Sequence, residues 1–286
     1  MASMRTLIER PGVIALPGVF DGISARAADA AGFPALYLTG YGAVASALGM
    51  PDAGLATYSE MLDRVRCVAG CVRVPFIADG DTGYGGLLNV ERTVRGYEQA
   101  GAAGIQIEDQ EFPKKCGHTQ GRRVIPLEDA VAKVRVAVES RSSRDFLIVA
   151  RTDARTGEGI DAAIARGERF ARAGADVVFV ESPESETELR LIAERLRGVA
   201  LLANMVEGGR TPFLPAATLG EMGFKIALYP GSGFLAAAGA LVAQYAHLAR
   251  HGTSADTPAP MLSFADMNTL MGFPRVWEFD RRRAAE

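Results

Sequence analysis

The chain has 286 residues, 48% hydrophobic and 23% charged, with a formal net charge of −3. That length and balance suit a folded protein with a large buried core, and an α/β barrel of about 250 residues can be a single domain. No basic excess is present to neutralise phosphates, and no run reaches about 18 apolar residues, so nucleic-acid binding and a membrane span are both excluded.

The N-terminal MASMRTLIERPG lacks the apolar core of a secretory signal. Three cysteines, Cys67, Cys71 and Cys116, make no disulfide framework, and the odd count suits a reducing compartment. A cytoplasmic location is therefore expected. Cys67 and Cys71 stand at i, i+4 with no further ligands nearby and are read as packing residues.

Short, nearly continuous apolar runs then alternate with longer amphipathic segments. The runs lie at 13–19, 35–40, 75–81, 104–109, 146–153, 176–182, 199–205 and 224–230. Such runs are typical of parallel strands buried on both faces. Glycines at 32, 101 and 174 stand where the intervening helices should stop. Eight βα units predict an α/β fold of (β/α)₈ type over residues 1–251. A doubly wound open sheet shares the periodicity, but the count of eight and the polar residues at the strand ends favour the barrel. The stretch GTSADTPAP at 252–260 reads as a linker to a C-terminal helical tail ending at 286. His247 and His251 sit in the last turn before that linker and are read as a solvated helix end.

In a barrel the C-terminal strand ends share one mouth, where the chemistry lies. Those ends carry Thr39, Gly40 and Tyr41; Asp79 and Asp81; Glu108; Arg151 and Asp153; Glu181; Asn204; and Tyr229 to Ser232. Clustered carboxylates repel one another, and a divalent cation removes that cost. An all-oxygen set points to Mg²⁺, or Mn²⁺, held by Asp79, Asp81 and Glu108 with Asp52 from the LGMPDAG loop. Arg151 and Asn204 are suited to substrate carboxylates, Arg151 through its planar fork. Gly40, Gly83, Gly85 and Gly86 let backbone N–H groups approach an anion. No phosphate-binding loop or dinucleotide fingerprint is present.

After the fourth run the chain reads Lys114-Lys115-Cys116-Gly117-His118. A thiol among lysines and an imidazole has a perturbed pKa, suiting it to nucleophilic or acid–base work. This loop is expected to close over the substrate.

These stretches together resemble the isocitrate lyase/phosphoenolpyruvate mutase superfamily. The likeness rests on Asp79-Gly-Asp81-Thr-Gly83-Tyr-Gly85, Glu108-Asp-Gln and Lys114-Lys-Cys116-Gly-His118. It extends through Leu16-Pro-Gly-Val-Phe-Asp21, Tyr37-Leu-Thr-Gly40, Ala150-Arg151-Thr-Asp153 and Asn204-Met-Val-Glu207-Gly-Gly. Members with this cysteine loop are typically carbon–carbon lyases, whereas the mutase and phosphonopyruvate hydrolase branches generally lack the cysteine. The resemblance implies a Mg²⁺ site and a small di- or tricarboxylate substrate. Thr39, Gly40, Tyr41, Lys115, Gly117, Arg151 and Asn204 would bind that substrate. Tyr37 or Tyr41 would act as base and Cys116 as proton donor. Arg151 would stabilise charge, and His118 and Glu181 would order the loop. Asn204-Met-Val-Glu-Gly-Gly resembles the dimethylmalate lyase, petal death protein and oxaloacetate hydrolase group more than methylisocitrate lyases, so 2-alkylmalates or oxaloacetate are favoured over tricarboxylates. A homotetramer that exchanges its C-terminal helix between subunits is also implied.

Overall fold

The structure, a computed structural model, describes residues 2–119 and 121–284. Eight parallel strands close into a barrel in sequence order. They are β1 (Ile14–Val19), β2 (Leu36–Leu38), β3 (Phe76–Asp79), β4 (Gly104–Glu108), β5 (Leu147–Thr152), β6 (Val177–Val180), β7 (Ala200–Asn204) and β8 (Ile226–Tyr229). β8 pairs with β1 to shut the ring, Ile14 opposite Ile226 and Leu16 opposite Leu228. Each predicted run contains one strand, and the closed ring disposes of the open-sheet alternative.

Helix α1 (Met4–Glu9) precedes the barrel. Between the strands lie α2 (Gly22–Ala30), α3 (Gly40–Leu48), α4 (Tyr58–Ala69), α5 (Leu87–Gln99), α6 (Leu127–Ser140), α7 (Ala154–Glu158), α8 (Ile160–Arg172), α9 (Glu186–Arg195) and α10 (Ala216–Met222). After β8 come α11 (Ser232–His251), α12 (Phe264–Met271) and α13 (Phe273–Ala284). Local chemistry sets several boundaries. Asp21 accepts from the Ser24 amide at 2.7 Å while the Ser24 hydroxyl accepts from the Asp21 amide at 3.0 Å, a reciprocal cap that starts α2. Gly32, Gly101 and Gly174 adopt φ of 83°, 98° and 100°, the left-handed turn that ends each helix before its next strand.

The period-2 alternation of the strands divides the core in two. Leu16, Tyr37, Ile77, Leu147, Val149, Val177, Phe179, Leu202, Ile226 and Leu228 form the barrel's interior cluster. Their neighbours, among them Ala78, Ile105, Ile148, Val178 and Ala203, pack outward beneath the helices. At the N-terminal end of the strands, Met4, Leu7 and Ile8 of α1 join the interior cluster and seal the barrel. Ser3 caps this helix, accepting from the Thr6 amide at 3.2 Å.

The C-terminal helices differ from the rest. No residue of α11, α12 or α13 is buried, although Leu241, Val242, Tyr245, Phe264, Trp277 and Phe279 lie on them. The helical tail expected from sequence is present as α12 and α13, while its last two residues, Ala285 and Glu286, lie outside the described residues. At the end of α11, His251 is exposed and His247 is half-buried, its Nε2 2.9 Å from the Ala255 carbonyl oxygen, with the two rings 4.6 Å apart. Among the described residues, no helix is long and apolar enough to cross a membrane.

Candidate active site

Strand parity decides which polar side chains meet. Ile77 and Asp79 on β3, and Val149 and Arg151 on β5, share the inward-facing register. The same two-residue step puts Tyr37 and Thr39, Gln106 and Glu108, Phe179 and Glu181, and Leu202 and Asn204 on the inner face. Asp109 falls on the opposite parity. Its carboxylate leaves the barrel to accept from Thr152 Oγ1 at 2.7 Å and to pair with Arg166 of α8 at 3.2 Å. Two adjacent acids therefore have separate environments.

The floor of the mouth is acidic. Asp52, Asp79 and Glu108 line a cavity of about 290 Å³. Burial raises Asp79, lifts Asp81 to about 6 and holds Glu108 well above the usual carboxylate range, with Lys114 or Arg151 working against it in each case. Lys114 is itself buried, its ammonium paired with Asp52 and lying 2.5 Å from Asp81 Oδ1. Asp81 does not line the cavity, and Asp52 lines it with its carboxylate engaged by Lys114. Among the described residues, no three His, Cys, Asp or Glu side chains are grouped closely enough to hold an ion as they stand. The donor chemistry nevertheless suits a hard cation. Glu108 Oε1 and Gln106 Oε1 are buried acceptors without a hydrogen-bond partner, and Mg²⁺ commonly uses only one or two carboxylates plus waters.

Arg151 forms one wall. Its Nε and Nη2 clamp Asp153 at 2.9 and 2.8 Å, and its guanidinium lies 3.3 Å from both Glu108 and Glu181. Asn204 donates to Glu181 Oε2 at 3.2 Å. His118 Nδ1 accepts from the Arg210 amide at 3.2 Å, which puts the ring proton on Nε2, 3.3 Å from Glu181 Oε1. Burial lowers the imidazole pKa, outweighing the Glu181 charge, so His118 is neutral near pH 7.

The cysteine loop is held against this wall. The Cys116 amide donates to the Asp52 carbonyl at 3.1 Å, and Thr119 bonds the Cys116 carbonyl through both its amide, at 3.0 Å, and its hydroxyl, at 2.7 Å. A Cβ on Gly117 would lie 2.5 Å from Arg151 Nη2 and from Glu181 Oε2, so only glycine fits this close approach. Burial pushes the Cys116 thiol up, against a backbone hydrogen bond at His118 that pulls it down. The thiol is therefore protonated near neutrality: a proton donor rather than a ready nucleophile. Lys115 is exposed and its ammonium bonds the Gly121 carbonyl at 3.3 Å, although the residue also borders the cavity.

Opposite the wall stand Tyr37, Thr39 and Tyr41. A Cβ on Gly40 would come 2.5 Å from Asp79 Oδ2, so the start of α3 packs directly on the acidic floor. Tyr37, expected from sequence as a candidate base together with Tyr41, is buried beside the acidic floor. Burial, and then the Asp79 charge, hold its phenol well above the ordinary value. Tyr41 sits at the rim with its ring 5.2 Å from that of Phe234. Phe234, Leu235, Val206 and Pro230 give the cavity an apolar side.

The sequence profile of the phosphoenolpyruvate phosphomutase family matches residues 4–249. The 2,3-dimethylmalate lyase of Eubacterium barkeri is 46% identical, over 99% of this chain and 98% of its own. The chain belongs to the phosphoenolpyruvate mutase/isocitrate lyase superfamily. A second relative, the 2-methylisocitrate lyase of Aeropyrum pernix, is 44% identical over 94% of this chain and 86% of its own. These superfamily relatives are carbon–carbon lyases, and the chain is an enzyme of that type. Among solved superfamily structures, oxaloacetate acetylhydrolase bound to 3,3-difluorooxalacetate superposes with a TM-score of 0.93 at 33% identity, covering 99% of this chain and 96% of the other. Phosphonopyruvate hydrolase, solved with oxalate and Mg²⁺, superposes at 0.87 with 28% identity, covering 98% and 97%.

Sequence reasoning misses three polar residues around this superfamily site. Gln106 carries a readable signal: it interrupts an apolar run two residues before Glu108, on the same inward parity. Ser182 donates from Oγ to the Gly117 carbonyl at 2.9 Å, and Arg122 pairs with Asp153 at 2.5 Å. Neither has a local signal, because their partners are 65 and 31 residues away in the chain.

Proposed function

We propose that the enzyme is a Mg²⁺-dependent lyase that cleaves a 2-hydroxy dicarboxylate of the 2,3-dimethylmalate kind to an α-keto acid and a carboxylate. The observation that carries this reading is the placement of Cys116 on a cavity that also presents Arg151 and an acidic floor. Asp79 and Glu108 would hold the cation, with Asp52 and Asp81 acting through water. When bound, the cation supplies positive charge for the substrate's carboxylate and 2-oxygen. Arg151 offsets the charge that develops as the 2-hydroxyl loses its proton and the C2–C3 bond breaks. Thr39, Gly40 and Tyr41 bind the keto-acid fragment, and Tyr37 or Tyr41, both on the cavity, acts as the base. Gly117, His118, Glu181, Asn204 and, at the rim, Lys115 shape the end that takes the second carboxylate. Cys116 then donates its proton to the new carbanion.

The similarity to 2,3-dimethylmalate lyase over nearly the whole chain supports this substrate class, and the apolar side of the cavity suits alkyl substituents. Oxaloacetate hydrolysis is the second reading, favoured by the close superposition on oxaloacetate acetylhydrolase. Purified enzyme with MgCl₂ should be assayed against 2,3-dimethylmalate, 2-methylisocitrate and oxaloacetate. Pyruvate release fastest from dimethylmalate supports the proposal; oxalate release from oxaloacetate as the dominant activity supports the second reading instead.

The enzyme's apolar α11–α13 surface and a groove of about 1130 Å³ between α2 and α11 support assembly with further copies of the chain. We assign it a homotetramer in which residues 252–286 pack on a neighbouring barrel. Light scattering that finds a monomer at micromolar concentration contradicts that assignment.

A further inference from the structure

Arg122 does not line the cavity, yet its side chain is fully covered. Its guanidinium reaches three acceptors. Nη1 donates to Asp153 Oδ1 at 2.5 Å, Nη2 to Thr156 Oγ1 at 2.6 Å, and Nε to the Thr119 carbonyl at 3.3 Å. The first two acceptors lie just beyond β5, and the third lies in the cysteine loop. Asp153 is also clamped by Arg151, so one carboxylate bridges two guanidinium groups. Thr119 in turn holds the Cys116 carbonyl with two bonds. A continuous path thus runs from the charge-stabilising arginine to the cysteine backbone.

We propose that Arg122 is a positioning residue that latches the cysteine loop to the end of β5, fixing Cys116 and Arg151 relative to each other. A guanidinium is required because its planar fork reaches three acceptors in different directions; a lysine ammonium can satisfy Asp153 but not hold Thr119 and Thr156 in the same geometry. The latch rests on the lyase reading only for its catalytic consequence, since the loop contact exists whatever the substrate.

The test is the rate at which N-ethylmaleimide modifies Cys116, followed by mass spectrometry of its peptide so that Cys67 and Cys71 do not interfere. Arg122→Ala is expected to accelerate modification about tenfold or more, the scale of losing hydrogen bonds to a charged donor. Arg122→Lys, which keeps a cation beside Asp153, should fold like the parent yet still expose the thiol faster. Thr156→Val should give a smaller acceleration and serves if Arg122→Ala does not fold. With a turned-over substrate, Arg122→Lys should lower kcat more than it raises KM. Modification at the parent rate in folded Arg122→Lys and Thr156→Val overturns the latch. If no substrate is found, the modification rates still decide the latch while the lyase reading fails separately.

Discussion

The two ends of the barrel use one alternating pattern for opposite purposes. At the N-terminal end the inward positions are apolar and α1 covers them with Met4, Leu7 and Ile8, each of which contributes about 1.5–3 kcal/mol on burial. At the C-terminal end the inward positions are Asp79, Glu108, Arg151, Glu181 and Asn204, all buried. Burying such groups costs free energy that pairing only partly offsets. One end therefore holds the fold together, while the other holds charges in readiness for a ligand.

The largest separation between the ends should come from Cys116→Ser. Turnover of the best substrate should fall by about 10²–10⁴-fold, the usual range for losing a proton-transfer group, while the melting midpoint stays near the parent value. Unchanged turnover would remove Cys116 from the chemistry. Met4→Ala at the opposite end should do the reverse. Denaturant unfolding should show a loss of about 2–5 kcal/mol with kcat/KM unaltered in the folded fraction. A change in kcat/KM there would blur the division.

The acidic floor gives a pH test. Asp81 is raised to about 6 from an ordinary 3.8, and Glu108 is raised well above its own ordinary value, so the native state holds more protons than the unfolded chain across that window. Without a divalent cation, the Asp81 contribution to stability is present below about pH 4 and is lost as pH rises through about 6. A cation competes with those protons. MgCl₂ should therefore raise the melting midpoint more at pH 8 than at pH 5; equal shifts would place the cation elsewhere. The smallest effect is expected from Lys115→Ala, within about 0.5 kcal/mol of parent stability because the side chain is exposed. A large rise in KM in that variant would show that Lys115 binds substrate directly rather than only bordering the rim of the cavity.

The barrel is legible in the sequence because eight apolar runs, each bounded by polar residues, leave few alternatives. The inward acids and Arg151 are legible for the same reason, since strand parity and strand ends are local properties. Lys114 is visible as part of a reactive loop, but its insertion between Asp52 and Asp81 is not, because that depends on how two loops fold over one another. The direction of the Cys116 shift is also hidden: neighbouring lysines suggest a perturbed thiol, whereas burial decides the sign. The direction of the Tyr37 shift is hidden on the same ground. The residue's position near the floor is readable, and its enclosure is not.

The most direct test of the central claim is cleavage of 2,3-dimethylmalate in D₂O with MgCl₂, followed by NMR of the products. Donation from a thiol fixed on one side of the carbanion predicts pyruvate and propionate in equal amounts, the propionate carrying one deuterium at C2 in a single configuration. No cleavage, or deuterium in both configurations, would contradict a lyase in which Cys116 delivers the proton.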